Sequence, residues 1–165
     1  MKNMWLMMVV ALALVAGSQT VSAEEPAPMT PVMMGWFNPA QAPSEKWDVC
    51  GLRVDLFYGK CRNLTGVDAG VLVNHATGDV IGLEACFVVN YVEKDFTGLQ
   101  VGLVNVVSHQ VSALQIGLFN GADDMSGLQI GVVNHTRIMR GCQIGVVNVI
   151  DNSDIPFLPV LNFLF

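Results

Sequence analysis

Hydrophobic and polar residues alternate in a short motif that recurs along most of the chain. The clearest copies read GLQVGLVN, ALQIGLFN, GLQIGVVN and GCQIGVVN, at 98–105, 113–120, 127–134 and 141–148. If the motif is numbered one to eight, positions two, four and six are aliphatic, which is the period-two pattern of a β-strand. We therefore expect positions two, four and six to face a core. We expect the polar face at position three, which is Gln in these copies, to be exposed.

Looser copies of the motif precede these four, and degenerate copies stand at both ends of the array. They read GLRVDLFY, GVDAGVLVN, GLEACFVVN and IPFLPVLN, at 51–58, 66–74, 82–90 and 155–162. Arg53, Asp68 and Glu84 take position three in the first three copies. Aligned on the closing Asn, or on Tyr58 in the first copy, the eight copies are 16, 16, 15, 15, 14, 14 and 14 residues apart. Periods this regular indicate a repeat architecture.

Two all-β architectures fit this array. In the first, about eight repeats of 14–16 residues form a β-solenoid, in which equivalent residues stack at about 4.8 Å per turn. Near-identical copies with a constant Asn favour this arrangement. In the second, the repeats are the strands of an eight-stranded antiparallel outer-membrane β-barrel, for which Phe165 would be the assembly signal. Short strands, uniform connections and few Tyr or Trp residues count against the second.

Two further columns of residues belong to the repeat. An apolar residue lies two positions before most copies, and we expect it to turn inward. These residues are Leu64, Val80, Phe96, Val111, Met125 and Met139. The closing asparagines suit turns, because Asn tolerates left-handed backbone, and in a register stack they can also bond one another as a structural ladder. They are Asn74, Asn90, Asn105, Asn120, Asn134 and Asn148.

The N-terminal residues differ in composition from the repeats. Lys2, the apolar run 6–17 and the small residues of Val21-Ser22-Ala23 are typical of a signal peptide. We expect residues 1–23 to be this signal, cleaved after Ala23, and residues 24–46, with five prolines, to be an extended and mostly unstructured leader. Residues 47–165 then form the β-repeat domain, whose last copy contains Pro156 and Pro159 and therefore suits an edge strand.

Composition narrows the functional classes. Hydrophobic residues make up 52% of the 165 residues and charged residues only 13%, which excludes a disordered tail. Eight Lys and Arg against fourteen Asp and Glu give a net charge of −6. No basic patch is present to neutralise phosphates, so we expect no nucleic-acid partner.

Residues able to carry chemistry are few. Export permits disulfides, and Cys50 and Cys61 flank the first strand, so they form a candidate disulfide. His75 and His135 follow closing asparagines and His109 lies in a connection, which predicts solvated turn residues. No metal-ligand spacing, nucleophile context or acid–base pair occurs. We therefore expect no enzyme activity, no cofactor and no metal site.

The Gly-Leu-Gln-x-Gly-x-x-Asn units resemble the bacterial surface repeats first described in leptospiral-type surface proteins. The resemblance includes the opening WDVCGLR (47–53) and the close PFLPVLNF (156–163), and it covers about 47–165. Asp55 and Cys86 depart from it, because they stand where position five would hold Gly. The resemblance implies an exported, surface-associated protein and brings no catalytic residues with it.

Together these features predict an exported cell-envelope or surface repeat protein with a structural or interaction role. The alternative is a small outer-membrane barrel that anchors or forms a narrow pore. The protein would lie at the cell surface or outer membrane, or in the periplasm, and its partner would be another envelope or extracellular component. We expect a partner to contact the exposed Gln stripe, Gln100, Gln115, Gln129 and Gln143, or the connecting loops.

Overall fold

The computed structural model describes residues 27–164, which form twelve β-strands and, within that range, no helix. The predicted signal peptide, residues 1–23, lies outside the described residues, as does Phe165. The strands are β1 (Met29–Phe37), β2 (Ala40–Ala42), β3 (Asp48–Cys61), β4 (Leu64–Gly70), β5 (Val73–Ala76), β6 (Val80–Cys86), β7 (Val89–Val92), β8 (Phe96–Val101), β9 (Val104–Ile116), β10 (Phe119–Ile130), β11 (Val133–Ile150) and β12 (Phe157–Leu164).

Each repeat makes one turn of a coil with two arms. In the second turn the first arm is β4, the chain bends at 71–72, and the second arm is β5. The chain then turns at 77–79 and begins the next first arm, β6, which lies parallel to β4. From β9 onward the second arm of one turn continues into the first arm of the next as one bent strand.

The pairing between turns is parallel and keeps the repeats in register. Gly66 pairs with Gly82, and Asn74 pairs with Asn90. Gln129 likewise pairs with Gln115 on one side and with Gln143 on the other. The chain is therefore a β-solenoid of about eight turns, which confirms the first of the two predicted architectures. In the alternative architecture, neighbouring repeats would have been antiparallel.

The solenoid is inverted relative to the expected faces. The glutamines of position three are completely buried, and so are the closing asparagines. The aliphatic residues of positions two, four and six face outward instead, and many of them are more than a third exposed. The expectation of an exposed Gln stripe is therefore wrong. The predicted inward column that begins with Leu64 is confirmed, and a second inward column follows the asparagines at Ala76, Val92, Val107, Ala122 and Ile150.

Close contact between turns explains the glycine at position one. Gly127, at position one, has a φ of 136°, and a Cβ atom there would lie 2.1 Å from the backbone oxygen of Ala113 in the preceding turn. Only glycine adopts that backbone without strain and fits that space. Because side chains alternate along a strand, the residue at position three lies on the same inward face as the buried column that begins with Leu64.

The buried amides are satisfied by two ladders that run along the solenoid. From Asn74 to Asn134, each closing Asn donates from Nδ2 to Oδ1 of the Asn in the following turn, at 2.8–3.2 Å, and also to a backbone carbonyl of that turn. Asn148, the last, donates to the carbonyls of Gly145 and Leu158 instead. The glutamines donate in the opposite direction, from Nε2 to Oε1 of the preceding turn, at 2.8 Å. A polar interior is therefore tolerated, because burying an amide is costly only when it lacks a partner.

Both ends of the solenoid are covered by additional strands. The leader is not mostly unstructured as expected, because β1 pairs in parallel with β3 and places Met33 in the core. The proline-rich composition was misleading here, since prolines tolerate an edge position that needs few backbone donors. At the other end β12 reverses direction and pairs antiparallel with β11, so the copy with Pro156 and Pro159 is an edge strand, as predicted.

Candidate interaction surface

The outward aliphatic residues form one continuous apolar strip along the solenoid, which we call the apolar edge. It lies where the first arm bends into the second, and its members are each more than a third exposed. They are Leu52, Val54, Leu56, Val67, Val71, Phe87, Val101, Leu103, Ile116, Leu118, Val132, Ile144 and Val146. Val32, Met34 and Trp36 continue the strip on β1, and Leu161 and Phe163 on β12.

Outward charges are absent from this part of every described turn. The charged side chains at positions two to six of the repeats, Arg53, Asp55, Asp68 and Glu84, are all buried. Charged residues instead gather in the turns at the far ends of the arms, where Asp123 pairs with Arg137, and Asp124 with Arg140. The solenoid is therefore amphipathic along its length, with an apolar edge and a charged edge on opposite sides.

Shallow grooves cross the apolar edge. The larger, about 610 Å³, extends over four turns and is lined by small residues such as Ala69, Ala85 and Gly102. Leu103 and Leu118 form its walls, and Phe87, whose side chain is 71% exposed, rises from the same groove. A second groove of about 470 Å³ lies beside Trp36 and Val54. The edge thus has both a projecting aromatic side chain and a recess.

A buried ionic stack replaces the Gln ladder at the N-terminal end. Arg53, Asp68 and Glu84 follow one another at position three, and Gln100 donates from Nε2 to Glu84 Oε2 at 2.7 Å. The Arg53 guanidinium donates from Nε to Asp68 Oδ1 at 2.8 Å, pairs with Asp55 at 3.1 Å, and donates to the His75 carbonyl at 3.0 Å. Burial disfavours the charge of Arg53, but the combined attraction of Asp68, Cys61 and Asp55 outweighs the burial and raises the pKa of Arg53.

Three acids at this end of the solenoid, Asp68 among them, have raised pKa values, and burial is the largest cause in each. Burial, reinforced by the charge of Asp68, raises the pKa of Glu84 from 4.5 to about 8, although the bond from Gln100 opposes the rise. Burial also raises the pKa of Asp55 from 3.8 to about 6 against the attraction of Arg53. Within residues 27–164, Glu84 Oε1 has no hydrogen-bond partner. A proton on that oxygen would let it donate toward the Asp68 side of the stack.

In the first turn an acid and a glycine have exchanged places relative to the later turns. Gly59, and not Tyr58 as the sequence alignment assumed, pairs with Asn74. Asp55 pairs with Gly70, so an acid stands at position five and a glycine at the ladder position. A Cβ atom on Gly59 would lie 1.7 Å from Asp55 Oδ2, and one on Gly70 would lie 1.8 Å from Asn74 Oδ1. The Asp55 carboxyl therefore fills the space that the Asn side chain takes in later turns.

The histidines do not all lie in solvated turns. His75 is only 3% exposed, and it lies between Tyr58, whose hydroxyl is 2.8 Å from Nδ1, and Glu93, whose Oε1 is 2.8 Å from Nε2. Burial lowers the pKa of His75 despite Glu93, and burial also raises the pKa of Tyr58 to about 12. The Tyr58 hydroxyl is therefore a weak nucleophile, although its neighbours resemble a proton relay. His109 is exposed as predicted, and His135 is half-buried with Nε2 3.1 Å from Asp151.

The candidate disulfide is not formed. Cys50 is exposed and Cys61 is buried, and both are free thiols. They stand near opposite ends of β3, one facing outward and the other inward, and thiols whose side chains point apart cannot be bridged without moving the backbone. Burial raises the pKa of Cys61 to about 12. Among residues 27–164, no three His, Cys, Asp or Glu side chains are grouped so that they could hold a metal ion.

No family model, curated protein or solved structure matches this chain. The described residues contain no helix of the length and hydrophobicity needed to cross a membrane.

The apolar edge is the surface that the sequence analysis missed. The signal was nevertheless present, because Leu64 and Asp68 are four residues apart and therefore share one face of a strand. An inward column at Leu64 is incompatible with an outward position three. The glycines at position five share that inward face and point to close approach of neighbouring groups there.

Proposed function

We propose that this chain is an exported, non-catalytic protein of the cell envelope that binds a partner through its apolar edge. One observation carries the proposal: outward charge is absent from one edge over all the described turns, while charged residues gather on the other. Contiguous exposed apolar surface of this extent is typical of protein–protein or membrane interaction sites. The N-terminal segment, with its apolar run and small residues at 21–23, supports export.

A purely structural reading of the edge is less satisfactory. The two amide ladders and the inward apolar columns already hold the turns together, so the aliphatic residues at positions two, four and six add little that the interior needs. Alanine or polar residues would complete the same strands. An interaction role explains why bulky aliphatic residues occur there in turn after turn.

A catalytic role has less support. The most chemically suggestive group, Tyr58–His75–Glu93, is closed to solvent at His75 and has a hydroxyl whose pKa is raised. The titratable residues that line the grooves of the apolar edge are Asp55 in the smaller one and Cys86 in the larger, and burial raises the pKa of both side chains. These surfaces are suited to binding and not to catalysis.

The test is size fractionation, without detergent, of extracts from cells that express the wild type or one of a matched pair of lysine variants. Leu103→Lys places a charge on the apolar edge, and Thr97→Lys places the same charge on the same turn, outside the edge. We expect the wild type and Thr97→Lys to elute as a larger complex, and Leu103→Lys to elute at the size of the single chain. Equal distribution of all three proteins would contradict an interaction through the apolar edge.

A further inference from the structure

We propose that the partner of the apolar edge is a second copy of this chain, bound face to face in a two-fold symmetric dimer. This inference rests on the interaction role proposed above, and it identifies the molecule that binds the apolar edge. Four features of the edge support it: its period, its relief, its extent and its chemistry.

The period of the edge favours a partner with the same period. Parallel pairing in register stacks the turns at about 4.8 Å, so each outward residue type forms a row of ridges with that spacing. Ridges pack into the grooves of another surface along their whole length only if the two spacings agree. A second solenoid of the same sequence meets this condition automatically.

The relief of the edge is self-complementary about its middle. Phe87 projects from the third turn, and the fourth turn has Gly102 and the shorter Leu103, which is 38% exposed, at the corresponding place in the same groove. A two-fold axis between these turns places Phe87 of each copy over Gly102 and Leu103 of the other. Such an isologous contact uses one patch twice and closes on itself, so it forms a dimer and not a fibre.

The extent of the edge suits such a contact. From β1 to β12 it covers eight turn spacings of about 4.8 Å, and across the arm it covers four residues of about 3.3 Å, an outline of roughly 500 Å². Its accessible area is larger, because the side chains stand out from that outline. A stable interface takes about 800 Å² from each partner, which is the same order.

The chemistry of the edge favours protein over lipid. Peripheral membrane surfaces combine apolar residues with flanking Lys and Arg that attract anionic headgroups. The outward residues of positions two to six include no cation in any described turn, and the net charge of the chain is −6. In the dimer the two charged edges would point away from each other, which reduces the repulsion between like charges.

The experiment is sedimentation velocity of the exported chain in detergent-free buffer, over a range of protein concentrations. We expect a dimer for the wild type and for Thr97→Lys, and a monomer for Phe87→Lys and for Leu103→Asp, with circular dichroism confirming that each variant is folded. Because Phe87 of one copy faces Leu103 of the other, an equimolar mixture of Phe87→Lys and Leu103→Asp should form a dimer again, through one Lys–Asp contact and one native contact.

Several outcomes would overturn the inference, and they separate it from the proposed function. A dimer that persists in Phe87→Lys and Leu103→Asp places the contact elsewhere. A monomeric wild type that binds neutral or anionic vesicles, with loss of binding in Leu103→Lys, makes lipid the occupant and leaves the interaction role intact. A monomeric wild type that binds no vesicles and fractionates like Leu103→Lys would refute both. If the equimolar mixture of Phe87→Lys and Leu103→Asp stays monomeric, the two-fold arrangement that places Phe87 over Leu103 is refuted.

Discussion

Replacing Glu84 by the residue that the later repeats use should make the protein more stable, and increasingly so as the pH rises. Glu84→Gln extends the Gln ladder by one turn, because the new amide can donate toward Asp68 while its oxygen still accepts from Gln100. In the wild type, the carboxyl in this place has no partner for Oε1 within residues 27–164. The substitution also removes an acid whose folded pKa is about 8.

The magnitude follows from the two pKa values. Because the folded pKa of Glu84 lies above the unfolded value of 4.5, its contribution to stability is fully present below pH 4.5 and is lost as the pH rises through about 8. Each pH unit in that window costs about 1.4 kcal/mol. Between pH 5.5 and 7.5 the wild type should therefore lose about 2–3 kcal/mol that Glu84→Gln retains.

Urea unfolding at pH 5.5 and 7.5, followed by the fluorescence of Trp36 and Trp47, measures this difference. Asp154→Asn is the matched control, because it removes one carboxylate from an exposed turn. Asp55 and Asp68, whose pKa values are also raised, remain in all three proteins, so Glu84 is the acid that differs between the wild type and Glu84→Gln. An equal loss of stability between the two pH values in wild type and Glu84→Gln would refute the account of the ionic stack.

Three other substitutions or labels test the interior. Gly127→Ala should destabilise the fold by about 1–3 kcal/mol in urea unfolding, because its φ is 136° and the carbonyl of Ala113 is too close, whereas Ala113→Gly should change stability by less than about 1 kcal/mol. Asn120→Ala should cost about 2–5 kcal/mol, because it leaves Asn134 Oδ1 and the Ile130 carbonyl without their donor, and a small effect like that of exposed Asn152→Ala would contradict the ladder. A maleimide should label Cys50 within minutes in the native protein and Cys61 only after unfolding, while a mass lower by two hydrogens would reveal the disulfide instead.

The repeat and its stacking could be predicted from the sequence, but the inward face could not be predicted from hydrophobicity alone. Period-two alternation at Gly98–Asn105 establishes a strand with two unlike faces, and near-identical copies establish that like residues meet. The usual rule assigns aliphatic residues to the core. Here a stacked amide has a partner in each neighbouring turn, so Gln100 and Asn105 are buried without loss of hydrogen bonds. Local pattern does not reveal this compensation, because it depends on the register between turns.

The N-terminal turn was harder still to predict. The identities of Arg53, Asp68 and Glu84 suggest an exposed polar face, and only three-dimensional stacking shows that they neutralise one another inside the coil. The exchange of acid and glycine between Asp55 and Gly59 shifts the alignment by one residue, which displaced Tyr58 into the Asn column of the sequence alignment. An alignment of the repeats that compares one position at a time does not detect such paired changes.

The opposite directions of the two amide ladders have an electrostatic consequence. Amide dipoles aligned along the Asn column point one way down the solenoid, and those of the Gln column point the other way, so their fields largely cancel. An α-helix, by contrast, accumulates a macrodipole that leaves partial charges at its ends. The repeat can therefore be multiplied or shortened by whole turns without building up charge at its termini, and electrostatics sets no limit to the length of such a coil.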